Sequence, residues 1–222
     1  MAESVSVADP LLLSQYLCTR LCHDLAGPIG AVAAGVELTA GDPTQVDAET
    51  LGLIGNSSAA ASRKLKFLRA AMGVPAGHHG AIGELPGLVE GFLQATAGRS
   101  GPAALDWPDS TAVARAATHM GPSAVPIFLN LCLLLLEAQP MCRSLTLKID
   151  DESRTVILIA EGDPSRASAW RPDVGEILNG TPVAPTAKSI QIHLLRALAM
   201  QAGGRVVIES NASTLQAAFS SP

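Results

Sequence analysis

The run His23-Asp24-Leu25-Ala26-Gly27-Pro28-Ile29 decides the fold, because it sits in a long helical pattern whose apolar positions leave the histidine outside. At about 100° per residue, Cys18, Leu21, Leu25, Ile29, Val32 and Val36 gather into one apolar stripe. His23 falls about 160° from the centre of that stripe, so it faces solvent. Asp9 reads as the N-cap and Pro10 as the first helical residue, with the helix expected over residues 10–39 and stopped by Gly41-Asp42-Pro43. A second helix is expected after Thr44, ending near Met72-Gly73. Its apolar or small positions Leu51, Ile54, Ser58, Ala61, Leu65, Leu68 and Met72 follow a 3-4 spacing that suits helix-to-helix packing. Two such helices and a short turn make a hairpin, and one hairpin cannot bury both stripes. Two copies are therefore expected to form a homodimeric four-helix bundle through residues 10–72.

The 222 residues suffice for one large or two small domains, and 48% hydrophobic against 16% charged residues is too apolar for a disordered chain. A net charge of -5 argues against a nucleic-acid partner, which would call for a basic patch or stripe. The longest apolar runs, such as 131–136, are too short to span a bilayer, so no membrane association is expected. Glu3 and Asp9 precede Leu11 with no basic segment, which argues against a secretory signal. Cys18, Cys22, Cys132 and Cys142 lack zinc spacing, lie in apolar segments, and are expected as buried thiols of a cytoplasmic protein.

Residues 1–73 thus form a dimerisation hairpin and 74–83 read as a linker, rich in glycine and carrying His78-His79 with no third metal ligand nearby. Residues 84–222 alternate. Helices are expected over 84–96, 123–138 and 190–201, and strands over 104–107, 145–150, 155–160, 205–210 and 215–219, with a loop from the third strand to Ala187. The order predicts an α+β fold, with helices on one face of a largely antiparallel sheet. His119 and His193 read as structural.

The helix over 190–201 and the run Ala202-Gly203-Gly204-Arg205-Val206-Val207-Ile208-Glu209-Ser210 resemble the end of the ATP-binding domain of sensor histidine kinases. The features that hold nucleotide there are altered. Lys188-Ser189-Ile190-Gln191-Ile192 replaces a glycine-rich loop, and without glycine the backbone amides cannot easily approach phosphate. Asn130 matches the first asparagine of that family's asparagine box, but Leu134 stands where the magnesium-binding one would be. Glu161-Gly162-Asp163-Pro164 matches the adenine-binding loop loosely. The second half is thus expected to be a degenerate domain that binds no nucleotide. A histidine followed at once by aspartate, with proline five residues on, resembles the phosphoacceptor run of two-component kinases. Taken together, the chain resembles the ChpT-type histidine phosphotransferases of alphaproteobacteria over about residues 10–220.

That resemblance implies a homodimer that takes a phosphoryl group from the receiver domain of a hybrid histidine kinase. It would pass the group to response-regulator receivers, among them a master cell-cycle regulator and a proteolysis-control receiver. Magnesium would come from the receiver, and the chain itself is expected to hold no cofactor and no metal. His23 would be the phosphoacceptor, a neutral imidazole near pH 7 whose task is mostly positional. Asp24 would orient the ring or accept its proton. Arg20, one turn earlier on nearly the same face, would neutralise phosphate charge. Gly27, Gly30, Ala31 and Ala34 form a smooth exposed surface for a receiver helix, although the same run also suits a helix-packing seam. Arg63, Lys64, Lys66 and Arg69 would give an acidic receiver a basic flank, or simply a solvated face. Cys22 cannot pair with His23 as nucleophile and base, since neighbours on a helix diverge by about 100°. The competing functions are an ATP-dependent sensor-type kinase, and a dimeric adaptor that docks on kinases or receivers without carrying phosphate.

Overall fold

A helical hairpin dominates the N-terminal part of the structure, a computed structural model that describes residues 9–41, 47–73, 82–98, 101–163 and 169–221. Helix α1 (Pro10–Gly41) starts where the sequence places it, with the Asp9 carboxylate accepting from the Leu11 N–H at 3.0 Å. Its 32 residues extend about 48 Å. Helix α2 (Ala48–Ala71) is capped by Asp47, which accepts from the Thr50 N–H at 2.7 Å. Gly35 is buried where α1 meets α2, and a Cβ there would overlap the side chain of Ile54. The breaker at 42–43 and residues 74–81 of the expected linker, including His78 and His79, lie outside the described residues.

The apolar stripe on α1 divides. Leu21, Leu25 and Val32 are half-buried, whereas Cys18, Ile29 and Val36 are exposed. On α2, Phe67, Leu68 and Ala71 are buried, while Leu51, Leu53 and Leu65 stay exposed. The hairpin therefore has a buried root and an upper part with little core within one chain. The expectation of four buried thiols is also corrected. Cys18 and Cys22 lie exposed on α1, and only Cys132 is buried, with Cys142 intermediate. Burial raises the Cys132 thiol pKa and pushes that of Cys142 up to about 11.

Beyond a short 3-10 turn at Ile82–Glu84 come α3 (Leu85–Thr96), β1 (Ala104–Asp106), α4 (Ser110–Met120), α5 (Ala124–Ala138), β2 (Ser144–Asp150) and β3 (Thr155–Glu161). The chain then forms α6 (Pro172–Asn179), α7 (Ile190–Gln201), β4 (Arg205–Asn211) and β5 (Thr214–Ser220). The sheet order is β1-β2-β3-β5-β4, antiparallel except for β1 on β2. Leu147 pairs with Leu158, and Leu158 with Ala217, so alternate residues line one buried face. Against it lies α5, buried on every side from Ala124 to Leu135 and apolar there except for Asn130, as suits a core helix. The span Ser110–Ala138 is apolar enough to cross a membrane by length and composition, yet 78% of its most apolar window is buried inside the fold.

Two helices depart from the sequence reading: α4, where no element was expected, and α6, inside the expected loop. The first is capped by Asp109, which accepts from the Thr111 and Ala112 N–H groups. The second begins with Pro172 in its first turn and ends on Gly180 in the left-handed conformation at φ 88°. The architecture is α+β as expected. The hairpin root and the sheet domain share one core, because Phe67, Leu68 and Ala71 pack in the same buried cluster as α5 and the sheet. Phe67 stacks on Phe92 of α3 with ring centroids 4.2 Å apart.

Candidate functional site

His23 projects from the middle of α1 with its side chain 87% exposed. Its Nδ1 lies 3.2 Å from Asp24 Oδ1. A carboxylate only accepts hydrogen bonds, so the nitrogen facing it carries the ring proton and donates it. The neutral ring then keeps its lone pair on Nε2. Asp24 is itself half-buried, and its other oxygen, Oδ2, sits 3.5 Å from Arg20 Nε. That spacing is an ion contact, longer than a normal hydrogen bond.

Arg20 differs from its expected setting. Its side chain is only 12% exposed, and its Nη2 pairs with Glu137 Oε1 at the end of α5. Burial lowers the Arg20 pKa, opposed by the Asp24 charge, but a guanidinium stays charged. The helix count placed Arg20 beside His23; its long side chain instead reaches into a junction between the hairpin and the sheet domain, held by two carboxylates. A cleft of about 330 Å³ opens at this junction, lined by Arg20, Asp24, Lys64, Leu133, Glu137 and Gln139 among others.

The surface residues separate into groups. Gly27 and Gly30 are exposed, and a Cβ at either would meet nothing within 4 Å, so that side of α1 is open. Ala34 is exposed and Ala31 half-buried. Of the basic residues on α2, Lys64 joins the Arg20–Asp24 cleft, while Arg63 and Lys66 line a different hollow with Glu90 and Gln94 of α3. Arg69 is exposed. Among the described residues no group of three or more His, Cys, Asp or Glu side chains is placed to hold a metal ion. His119 is exposed at the end of α4. His193 is half-buried, with its pKa lowered by burial and by nearby Arg196 against the opposing charge of Asp173.

Asn130, Gln191 and Gly162, which lie in segments that resemble a nucleotide site, make internal contacts. Asn130 is fully buried; its Nδ2 donates to the Ala71 carbonyl at 2.6 Å and the Pro126 carbonyl at 2.8 Å. Its Oδ1 accepts from Gln191 Nε2, and Gln191 is itself 2% exposed. One amide thus ties the end of α2 to α5 and to the start of α7. Gly162 is buried against the Gln139 amide, which a Cβ there would overlap, and Asp163 pairs with Arg143 at 3.0 Å.

Sequence reasoning missed Glu137 and Gln191. Glu137 had a signal, being the only acidic or basic side chain in an otherwise apolar helix. Nothing in the sequence indicated that its partner would be Arg20.

A family model described as histidine phosphotransferase C-terminal domain matches residues 83–214, more than half of the chain, and the chain belongs to that family. The resemblance read from His23-Asp24 and the altered second half is borne out at that level. Protein phosphotransferase ChpT of Brucella abortus (strain 2308) is 39% identical over 61 residues, 28% of this chain and 28% of that protein. The alignment thus spans under a third of the relative's length. A solved structure of a bacterial phosphotransferase superposes with a TM-score of 0.71 at 23% identity, covering 96% of this chain and 98% of that one. At that identity the likeness is one of fold.

Proposed function

We propose that this chain is a phosphorelay transferase in which His23 Nε2 takes a phosphoryl group from an aspartyl phosphate of a hybrid histidine kinase's receiver domain. It then hands the group to the receivers of response regulators. In each step the lone pair of the attacking atom forms a bond to phosphorus as the bond to the departing atom breaks. On acceptance, the donor aspartate leaves as carboxylate, and the proton stays on Nδ1 of the ring, hydrogen-bonded to Asp24. The receiver supplies magnesium, which offsets charge on the transferring phosphoryl group. This chain supplies an exposed, oriented imidazole in a mechanism dominated by positioning.

The observation that carries the reading is the His23 ring itself: 87% exposed, with Nδ1 anchored 3.2 Å from Asp24 Oδ1, which leaves Nε2 as the nitrogen with the lone pair. Exposed Leu51, Leu53, Ile29 and Val36 support a homodimer in which a second hairpin completes the bundle core. Open Gly27 and Gly30 beside Ala31 and Ala34 support a receiver-docking surface on α1, with Lys64, Arg63 and Lys66 as its basic flank. The Asn130–Gln191 pairing and the Gln139 amide against Gly162 support a sheet domain that works as scaffold and not as an ATPase. Cell-cycle control, in the cytoplasm, is the setting that the family resemblance suggests.

The test is phosphoryl transfer from a phosphorylated receiver domain, with ATP alone as a control. Acid-labile label on the wild type from the receiver only, lost in His23→Ala, is the expected result. Labelling from ATP alone would make the chain a kinase. An absence of label across a panel of receivers would favour an adaptor.

A further inference from the structure

Glu137 is an odd residue for its position. It occupies the last turn of α5, where the helix macrodipole already places partial negative charge and a basic side chain would be favoured. Its carboxylate pairs with Arg20 Nη2, while Arg20 Nε stays 3.5 Å from Asp24 Oδ2 and Asp24 Oδ1 meets the His23 ring at 3.2 Å. Glu137, Arg20, Asp24 and His23 therefore form one line of charge contacts from the sheet domain to the phosphoacceptor.

Neutralising Arg20 would not need Glu137, because Asp24 stands one helical turn away and guanidinium and carboxylate pair best through two parallel bonds. Such a fork would turn the Asp24 carboxylate toward Arg20 and away from the ring, even though each of its oxygens can accept more than one hydrogen bond. The ring Nδ1–H would then lose a well-aimed acceptor, and its proton would be free to redistribute to Nε2, the nitrogen that must attack. By taking one arm of Arg20, Glu137 leaves the Asp24 carboxylate oriented with Oδ1 toward the histidine. We propose that Glu137 is a positioning residue for phosphoryl transfer, acting from the sheet domain on His23 through Arg20 and Asp24. The inference rests on the phosphotransfer function proposed above and assigns a task to a domain that would otherwise be scaffold alone.

The test pairs Glu137→Gln, which keeps size and loses charge, with two measurements on the full-length protein. The first is the imidazole 15N spectrum, in which His23 is assigned among the five histidines by comparison with His23→Ala. The second is single-turnover transfer from a phosphorylated receiver. In the wild type the ring should hold its proton on Nδ1. In Glu137→Gln it should become a mixture of tautomers, and the rate at saturating receiver should fall about 3- to 10-fold with half-saturation unchanged, as expected for one lost orienting hydrogen bond. In an Asp24→Asn background the same substitution should have no further effect. An unchanged tautomer and rate in Glu137→Gln would overturn the proposal, as would a loss confined to half-saturation, which would make Glu137 a receiver contact. Failure of the function itself reads differently: the wild type would take no label, while the tautomer spectrum would still report whether Glu137 controls the ring.

Discussion

His23 and Asn130 are the polar residues around which both halves of the sequence were read, and their surroundings are opposites. The His23 side chain is 87% exposed and its ring makes one hydrogen bond. Asn130 is fully buried and makes three, to Ala71, Pro126 and Gln191. A group meant to react needs an unsatisfied atom facing solvent, whereas a group meant to hold structure needs every atom satisfied. Under the proposed function, their contrast separates a residue kept for chemistry from one used for packing.

Substitution at each residue tests that contrast. His23→Ala should abolish phosphoryl acceptance, by at least about a thousandfold, yet leave thermal unfolding within about 2 °C of wild type, because an exposed side chain contributes little to stability. A large drop in melting temperature would break the distinction. Asn130→Leu should do the reverse. Stranding the Ala71 carbonyl and the Gln191 amide should cost about 2–4 kcal/mol in urea unfolding, with label per folded molecule unchanged. Gln191→Leu, which strands only the Asn130 Oδ1, should cost less, about 1–3 kcal/mol by the same measurement. A cost equal to that of Asn130→Leu would place most of the network's energy at Gln191.

The smallest effect concerns acid. Asp109 is held below the usual carboxylate value of 3.8 by backbone N–H bonds from Ala112 and Thr111, and Asp173 by its hydrogen bonds from Arg171. A depressed folded pKa stabilises the protein above the unfolded value, and that contribution disappears as the pH falls through the lowered folded one. Melting temperature should therefore decline below about pH 4. Asp109→Asn should flatten that decline slightly, and label on His23 at neutral pH should not change.

Legibility in the sequence followed the length and strength of the local signal. α7 was read to its first and last residue, because its apolar pattern is bounded by Ser189 before it and Gly203-Gly204 after it. α4 was missed although its buried Val113, Ala116, Ala117 and Met120 recur at helical spacing, because two of those four are alanines, which a reading keyed to large apolar side chains passes over. α6 buries only Val174 and Ile177 in eight residues, too few for a period to emerge. The position of His23 on the exposed face was legible from helical geometry alone. The setting of Arg20 was not, because a long side chain ends far from its own Cα, and its second partner belongs to an element much later in the sequence.

The buried root of the hairpin also has a consequence during synthesis. The Ala71 carbonyl is closed by Asn130, which lies 59 residues further on. At about 5–20 residues per second, a ribosome takes roughly 3–12 seconds to make that stretch. Until then Phe67, Leu68 and Ala71 emerge with only α3, through Phe92, available to cover them. A nascent chain paused before α5 is made therefore presents a partly covered apolar root, which makes this interval the window in which a chaperone would matter most.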